Sequence, residues 1–174
     1  LRKALEGSLK RLKLEIIDLY QLHCADSRVP YADSIGALVD MKNEGKIRHI
    51  GISNVGLTHL ETALRETEVV SVQNAFNVRN SWSVEVLNYC TENSIPFLPW
   101  MPLGDGGISW TDPNLCELGK RYSVLPAQIA LAALYHLSPI MLLIPGTSSS
   151  KHLRKNVTAA DIKLDGDDLS TLWQ

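Results

Sequence analysis

The chain has 174 residues, 45% of them hydrophobic, and a net charge of −2 from 17 basic and 19 acidic residues. That length suffices for one domain with a sizeable core, and the interspersed charge excludes the electrostatic footprint of a nucleic-acid or anionic-membrane binder, which leaves small molecules as partners. No apolar run reaches the ~18 residues of a membrane span, and Cys24, Cys90 and Cys116 have neither the number nor the spacing of a disulfide framework or zinc site, so they read as reduced thiols in a cytoplasmic setting.

The opening stretch LRKALEGSLKRL places Leu1, Ala4, Leu5, Leu9 and Leu12 on one helical face. The chain thus starts inside an element and without Met, and we expect it to be a fragment of a longer protein. A strand is predicted at about 15–23, then a helix from Ala32 to Asn43 that closes on Gly45 at its C′ position. The second strand runs over 47–52. The spacing of Thr58 and Glu61 predicts a capping box at the start of the next helix. A third strand at 69–73, a helix at 83–93 and a fourth strand at 95–100 follow, then the glycine-rich LGDGG at 103–107. Proline at a first-turn position predicts two helices, one after Asp112 and one after Leu125. A fifth strand is predicted at 140–144. Ser149 or Ser150 is placed to cap one more helix, and LDGDDLSTLWQ reads as a last short one. No linker or repeat interrupts the chain, so residues 1–174 read as a single domain.

Each of the five apolar runs stops on residues suited to chemistry: His23, then Ser53 and Asn54, Gln73, Trp100, and finally Gly146 and Thr147. Parallel strands covered on both faces by helices read as continuous apolar runs, and ligands of such folds sit at the strands' carboxyl ends. The alternation of strand and helix is compatible with a doubly wound sheet or with part of an eight-stranded barrel.

Three segments in this order, EGSLKRLKLEIIDLYQLH, GKIRHIGISN and IPGTSSSKHLRKN, resemble blocks of the aldo-keto reductase family. The resemblance covers essentially the whole chain. It implies an α/β fold, a (β/α)8 TIM barrel present here as a partial barrel of about five βα units (strands four to eight), and NADP-dependent reduction of aldehydes or ketones to alcohols. By the resemblance His23 is catalytic, and a strand-end imidazole has the donor to polarise a carbonyl and stabilise a developing alkoxide. Ser53, Asn54 and Gln73 match the residues that hold the nicotinamide carboxamide, whose donors and acceptor suit hydroxyl and amide side chains. Trp100 matches the aromatic that stacks on the nicotinamide. Pro102, Leu103, Gly104 and Gly106 match the loop over the pyrophosphate, where glycine permits close backbone approach. Gly146, Thr147, Ser148, His152 and Asn156 match the adenosine phosphate segment, which opens a helix.

The chain departs from the family pattern at Lys155, where Glu is usual, and at His152, where some branches carry Arg; both are basic or become so, in keeping with NADPH. The resemblance also implies an Asp, a proton-donating Tyr and a Lys that find no match here. Tyr20 has strand parity opposite to His23, Tyr31 is expected in a loop, and Asp18 and Asp26 have no accompanying Lys. The expectation is therefore an enzyme when complete and an inactive chain by itself, acting on a small-molecule carbonyl substrate and using no metal. The alternatives are a cofactor-binding regulatory subunit resembling the family and an inactive truncated remnant.

Overall fold

Strands and helices alternate from the first turn as far as β4 in the computed structural model, which describes residues 1–104 and 111–173. The order is α1 (Arg2–Leu12), β1 (Ile17–Leu22), α2 (Tyr31–Asn43), β2 (Ile47–Ser53), α3 (Leu57–Glu66), β3 (Val69–Ala75), α4 (Val84–Glu92), β4 (Phe97–Trp100), α5 (Pro113–Arg121), α6 (Pro126–Leu137), α7 (Ser150–Thr158) and α8 (Gly166–Leu172). The strands form a parallel sheet in the order β1-β2-β3-β4. A doubly wound sheet reverses its order at a switch point. Strands that stay in sequence order wind one way, as in a segment of a barrel, and this decides between the two folds.

The chain divides into two compact units. The first comprises Leu1–Asn74 and Glu85–Phe97. Its core is Leu5 from α1, Ile35, Leu38 and Met41 from α2, Leu60 and Ala63 from α3, and Ile47, Ile50, Ile52, Val69 and Val72 from the strands. β2 is buried at five of its seven positions and β3 at five of seven, as helix-covered parallel strands require. Gly51 is needed where it stands: a Cβ there would lie 2.5 Å from Ser71 Oγ and 2.8 Å from Gln21 Cγ. Those two side chains meet over it in a 3.2 Å hydrogen bond from Gln21 Nε2 to Ser71 Oγ.

The second unit comprises Ala75–Val84 and Leu98–Gln174. Its core joins Leu115 and Leu118 of α5, Ile129, Ala130, Ala132 and Ala133 of α6, Leu164 and Leu172. Alanine lets α6 stay buried from Ala127 to Leu134. Helix starts are capped by side chains: Asp112 accepts from Leu115 N (3.0 Å), Ser149 from His152 N (3.4 Å) and Asp165 from Asp168 N (2.8 Å). Asp168 is itself buried and takes the Tyr122 hydroxyl (2.5 Å) and the Arg121 guanidinium (2.6 Å). That bond from its own hydroxyl to Asp168 raises the Tyr122 pKa.

Several expectations are corrected. The run at 140–144 forms no strand: Met141 makes an isolated bridge, and 142–147 have no regular structure. An apolar run signals burial, whereas a strand also needs a neighbouring ladder, which local sequence does not encode. α3 starts one residue before Thr58, on extended Gly56, with no side-chain cap, so the Thr58–Glu61 capping box is not made. Glycine reaches that extended N-cap conformation unaided. Tyr31 is the first residue of α2, after Pro30, rather than part of a loop. The predicted Gly45 stop holds: its φ of +74° follows the C-cap at Glu44.

β1 is an edge strand, and Leu12, Leu14, Ile16 and Leu19 near it are exposed. Unpaired edges carrying apolar side chains template association. Sedimentation velocity on the isolated chain is expected to show concentration-dependent association at about 50 µM, within the range where unpaired strand edges aggregate. Leu19→Lys should reduce it, and a clean monomer for the unsubstituted chain would contradict the reading.

Candidate active site

In the first unit the carboxyl ends of three strands are tied together by two side chains. His23 is the first residue beyond β1, Ser53 is the last of β2, and Gln73 is its register partner on β3. Ser53 Oγ donates to the Gln73 carbonyl (2.7 Å), which also accepts from the Asn54 backbone N–H (3.0 Å). The Asn54 amide then donates to the His23 carbonyl (2.9 Å) and to Ser53 Oγ (3.1 Å). Asn54 is left-handed, with φ of +56°. Asparagine is among the non-glycine residues that tolerate this conformation. His23 is exposed and Gln73 half-buried, so both stand at the mouth of this tied region, while Ser53 is buried.

Asn74, which sequence reasoning missed, braces the group from behind. Fully buried, it accepts from Val55 N (3.0 Å) and donates to Val55 O (2.7 Å), satisfying both backbone groups of the residue after Asn54. The available signal was parity: Asn74 follows Gln73 on β3 and so faces the other side of the sheet, where the turn after β2 needs partners.

Tyr31 lies in this unit with its ring 4.6 Å from that of His59, edge to face. Its hydroxyl is buried without a hydrogen-bond partner among the described residues, and burial pushes its pKa up to about 12. Cys24, beside His23, is exposed; Cys90 is buried in α4, and burial pushes its thiol up to about 12.

The second unit holds the remaining predicted residues. Trp100 ends β4 half-buried, and Met101 after it is left-handed (φ +52°), its carbonyl accepting from Asn77 Nδ2 at 3.0 Å. A cavity of ≈ 350 Å³ brings Pro102, Leu103 and Gly104 together with Ile144, Pro145 and Gly146. Gly104 lines this cavity with φ of +64°, and a Cβ on Gly146 would meet nothing within 4 Å, so the Gly146 backbone is open to a close ligand. Thr147 and Ser148 are exposed, and Thr147 Oγ1 accepts from Ser149 N at 3.1 Å. His152 is exposed in the first turn of α7, and Asn156 is buried one turn on. Gly106 lies outside the described residues. Sequence reasoning also missed the ion pair of Arg79 with buried Asp112. Among the described residues no His, Cys, Asp and Glu side chains gather as metal ligands, and no helix is long and apolar enough to cross a membrane.

A family model described as the aldo/keto reductase family matches residues 1–174. The chain is 41% identical over 167 residues to an uncharacterized oxidoreductase of Schizosaccharomyces pombe, covering 96% of this chain and 55% of that protein. It is 35% identical over 178 residues to pyridoxine 4-dehydrogenase of Escherichia coli, covering 99% and 62%. A solved thermostable aldo-keto reductase in complex with the inhibitor epalrestat superposes with a TM-score of 0.89 at 30% identity, over 98% of this chain and 64% of that one. An aldo-keto reductase from Klebsiella pneumoniae in complex with NADPH gives 0.86 at 26% identity, over 98% and 62%. The chain thus spans 55% and 62% of the two curated relatives.

Asn74→Ala is expected to lower stability by about 1–3 kcal/mol, the cost of leaving buried polar groups unpaired, as measured by urea unfolding. Iodoacetamide at pH 8 should modify exposed Cys24 and spare Cys90, whose thiolate fraction at that pH is about 10⁻⁴. Because the folded Cys90 pKa is raised from 9.0 to about 12, its contribution to stability is present below pH 9 and falls as the pH rises towards 12. Unfolding followed across that range checks the sign, and Cys90→Ser should remove the effect.

Proposed function

The chain belongs to the aldo/keto reductase family, and on that premise we propose that it forms the nicotinamide-binding and carbonyl-polarising part of an NADP-dependent oxidoreductase that reduces aldehydes or ketones to alcohols. In this reading residues 1–174 act as a single domain, strands four to eight of the family's barrel. The observation that carries the reading is the hydrogen-bonded convergence of His23, Ser53, Asn54 and Gln73 at the ends of three adjacent strands.

The residues present fit NADPH by their chemistry. Ser53, Asn54 and Gln73 are neutral donors and acceptors, suited to a planar carboxamide, and the open backbone at Gly146, across the cavity from Gly104, suits phosphate oxygens. When bound, NADPH supplies a hydride. His23 donates a hydrogen bond to the substrate carbonyl and stabilises the oxygen as negative charge develops there. Trp100 offers an aromatic face that fixes which side of the nicotinamide ring is presented. His152 and Lys155 on α7 add positive charge near an adenosine phosphate and favour NADP over NAD. The left-handed turn at Asn54 and the Asn74 brace hold the ends of β1, β2 and β3 in one geometry, so little ordering of His23, Ser53, Asn54 and Gln73 is left for the moment of binding. No residue of this chain matches the family's proton-donating Tyr with its Lys and Asp, and we assign proton delivery to none of them. The carbonyl substrate is a small molecule of unassigned identity.

Gln73→Ala and Asn54→Ala should each weaken NADPH binding by about 1–3 kcal/mol, read by fluorescence titration, with urea unfolding separating lost binding from lost fold. Unchanged affinity in both removes the carboxamide role. Carbonyl reduction by the chain alone, followed by NADPH absorbance with an aromatic aldehyde, should be at least about 10²-fold slower than in a protein extended to its relatives' length, because a general acid contributes 10²–10⁴. An extended protein that binds NADPH without turnover would instead favour the regulatory reading.

A further inference from the structure

Within the first unit, the end of the sheet away from His23, Asn54 and Gln73 holds a second cavity of ≈ 500 Å³, within the usual size range of small-molecule sites. Leu64, Val69, Val70 and Ile95 give it apolar walls, and Glu68, Tyr89, Asn93 and Ser94 supply its polar groups. It lies where α3 and α4 end and the chain re-enters β3 and β4.

The lining carries a single charged group, the Glu68 carboxylate, beside neutral polar side chains. Around it the backbone N–H groups of Thr67, Asn93, Ser94 and Ile95 are already spent on the carbonyls of Ala63, Tyr89, Thr91 and Cys90. One N–H of Asn93 Nδ2 is given to Tyr89 O at 2.8 Å, and Pro96 has no N–H to give. Two helix C-termini meet there, each carrying partial negative charge on its last carbonyls. The Glu68 carboxylate is exposed and takes part in no ion pair among the described residues. No Lys or Arg lines the cavity. Tyr89 adds an aromatic ring, which attracts cations to its face.

We propose that this cavity is a binding site for a small organic cation, an alkylammonium with an apolar body, whose charge faces Glu68 and whose body lies against Tyr89 and Leu64. An anion would meet the Glu68 carboxylate with no Lys or Arg on the lining to balance it, and is disfavoured. The site shares no residue with the proposed NADPH site, so it fills whether or not the cofactor is bound. Its fate is also independent of the proposed reductase activity.

The test uses the purified chain carrying Leu19→Lys, outside the cavity and chosen to suppress edge association, and two probes of similar shape and opposite charge, phenethylammonium and 3-phenylpropionate, titrated by calorimetry and by amide chemical-shift mapping. The ammonium probe should bind at least about tenfold more tightly than the carboxylate, and more weakly as salt rises from about 20 to about 300 mM. Its shifts should centre on 64–70 and 89–96. Glu68→Gln, at an exposed position, should leave the circular dichroism unchanged and raise the Kd about three- to fivefold, the scale of one solvent-accessible charge pair. Tyr89→Leu should also raise it. Equal binding of the two probes, unchanged affinity in Glu68→Gln, shifts centred on 51–54, or no binding of the ammonium probe up to about 10 mM would each overturn the proposal.

Discussion

The carbonyl of Gln73 accepts both the Ser53 hydroxyl and the Asn54 backbone N–H, and the geometry of the candidate active site depends on this double acceptance. Where a parallel strand ends and the chain turns towards its helix, backbone donors and acceptors lose their ladder partners. Each one left unpaired in a buried place costs about 1–3 kcal/mol. Here the partners are built in: β3 supplies the carbonyl, Ser53 and Asn54 supply the donors, and the Asn54 amide reaches on to the His23 carbonyl beyond β1. The left-handed backbone at Asn54 is costly for a non-glycine residue, on the order of 1–3 kcal/mol, and these bonds are of the size needed to hold it.

Packing explains why those strand ends stay in register. β2 is buried along most of its length, and its neighbours come close enough that Gln21 and Ser71 hydrogen-bond across Gly51. A side chain at 51 would displace Gln21 and Ser71 and break the hydrogen bond between them. In the second unit a buried carboxylate has the comparable role. The seven-residue α8 is too short to persist by itself, and Asp168 anchors it through the Tyr122 hydroxyl and the Arg121 guanidinium. The first unit also ends in opposite electrostatic characters, because every βα unit points its helix C-termini away from the strand stops.

Much of this was legible in the sequence, and for identifiable reasons. Apolar runs marked β1 to β4, most plainly at β2 and β3, whose burial on both faces leaves little polar face to alternate with. Proline after Asp112 and Leu125, serine at 149 and glycine at 45 marked helix ends because their conformational preferences are local. The residues at the strand stops were visible as the first polar groups after each run, and the three family-like segments named them. The capping box at Thr58 failed for a local reason too: Gly56 offered an earlier start that needed no side chain.

By itself the sequence determined which segments are strands and helices, where most of them stop, and which residue types stand at the stops. Only the tertiary structure decided that 140–144 lacks a ladder, that Asn74 braces Val55, and that Gly104 and Gly146 line one cavity. Each of these depends on a partner supplied from elsewhere in the chain: 19 residues separate Asn74 from Val55, and both of its bonds are invisible until β2 and β3 lie side by side. Hydrophobic periodicity and capping are properties of neighbours in sequence. Hydrogen-bond satisfaction at strand ends is a property of neighbours in space, and it is set only when the sheet has formed.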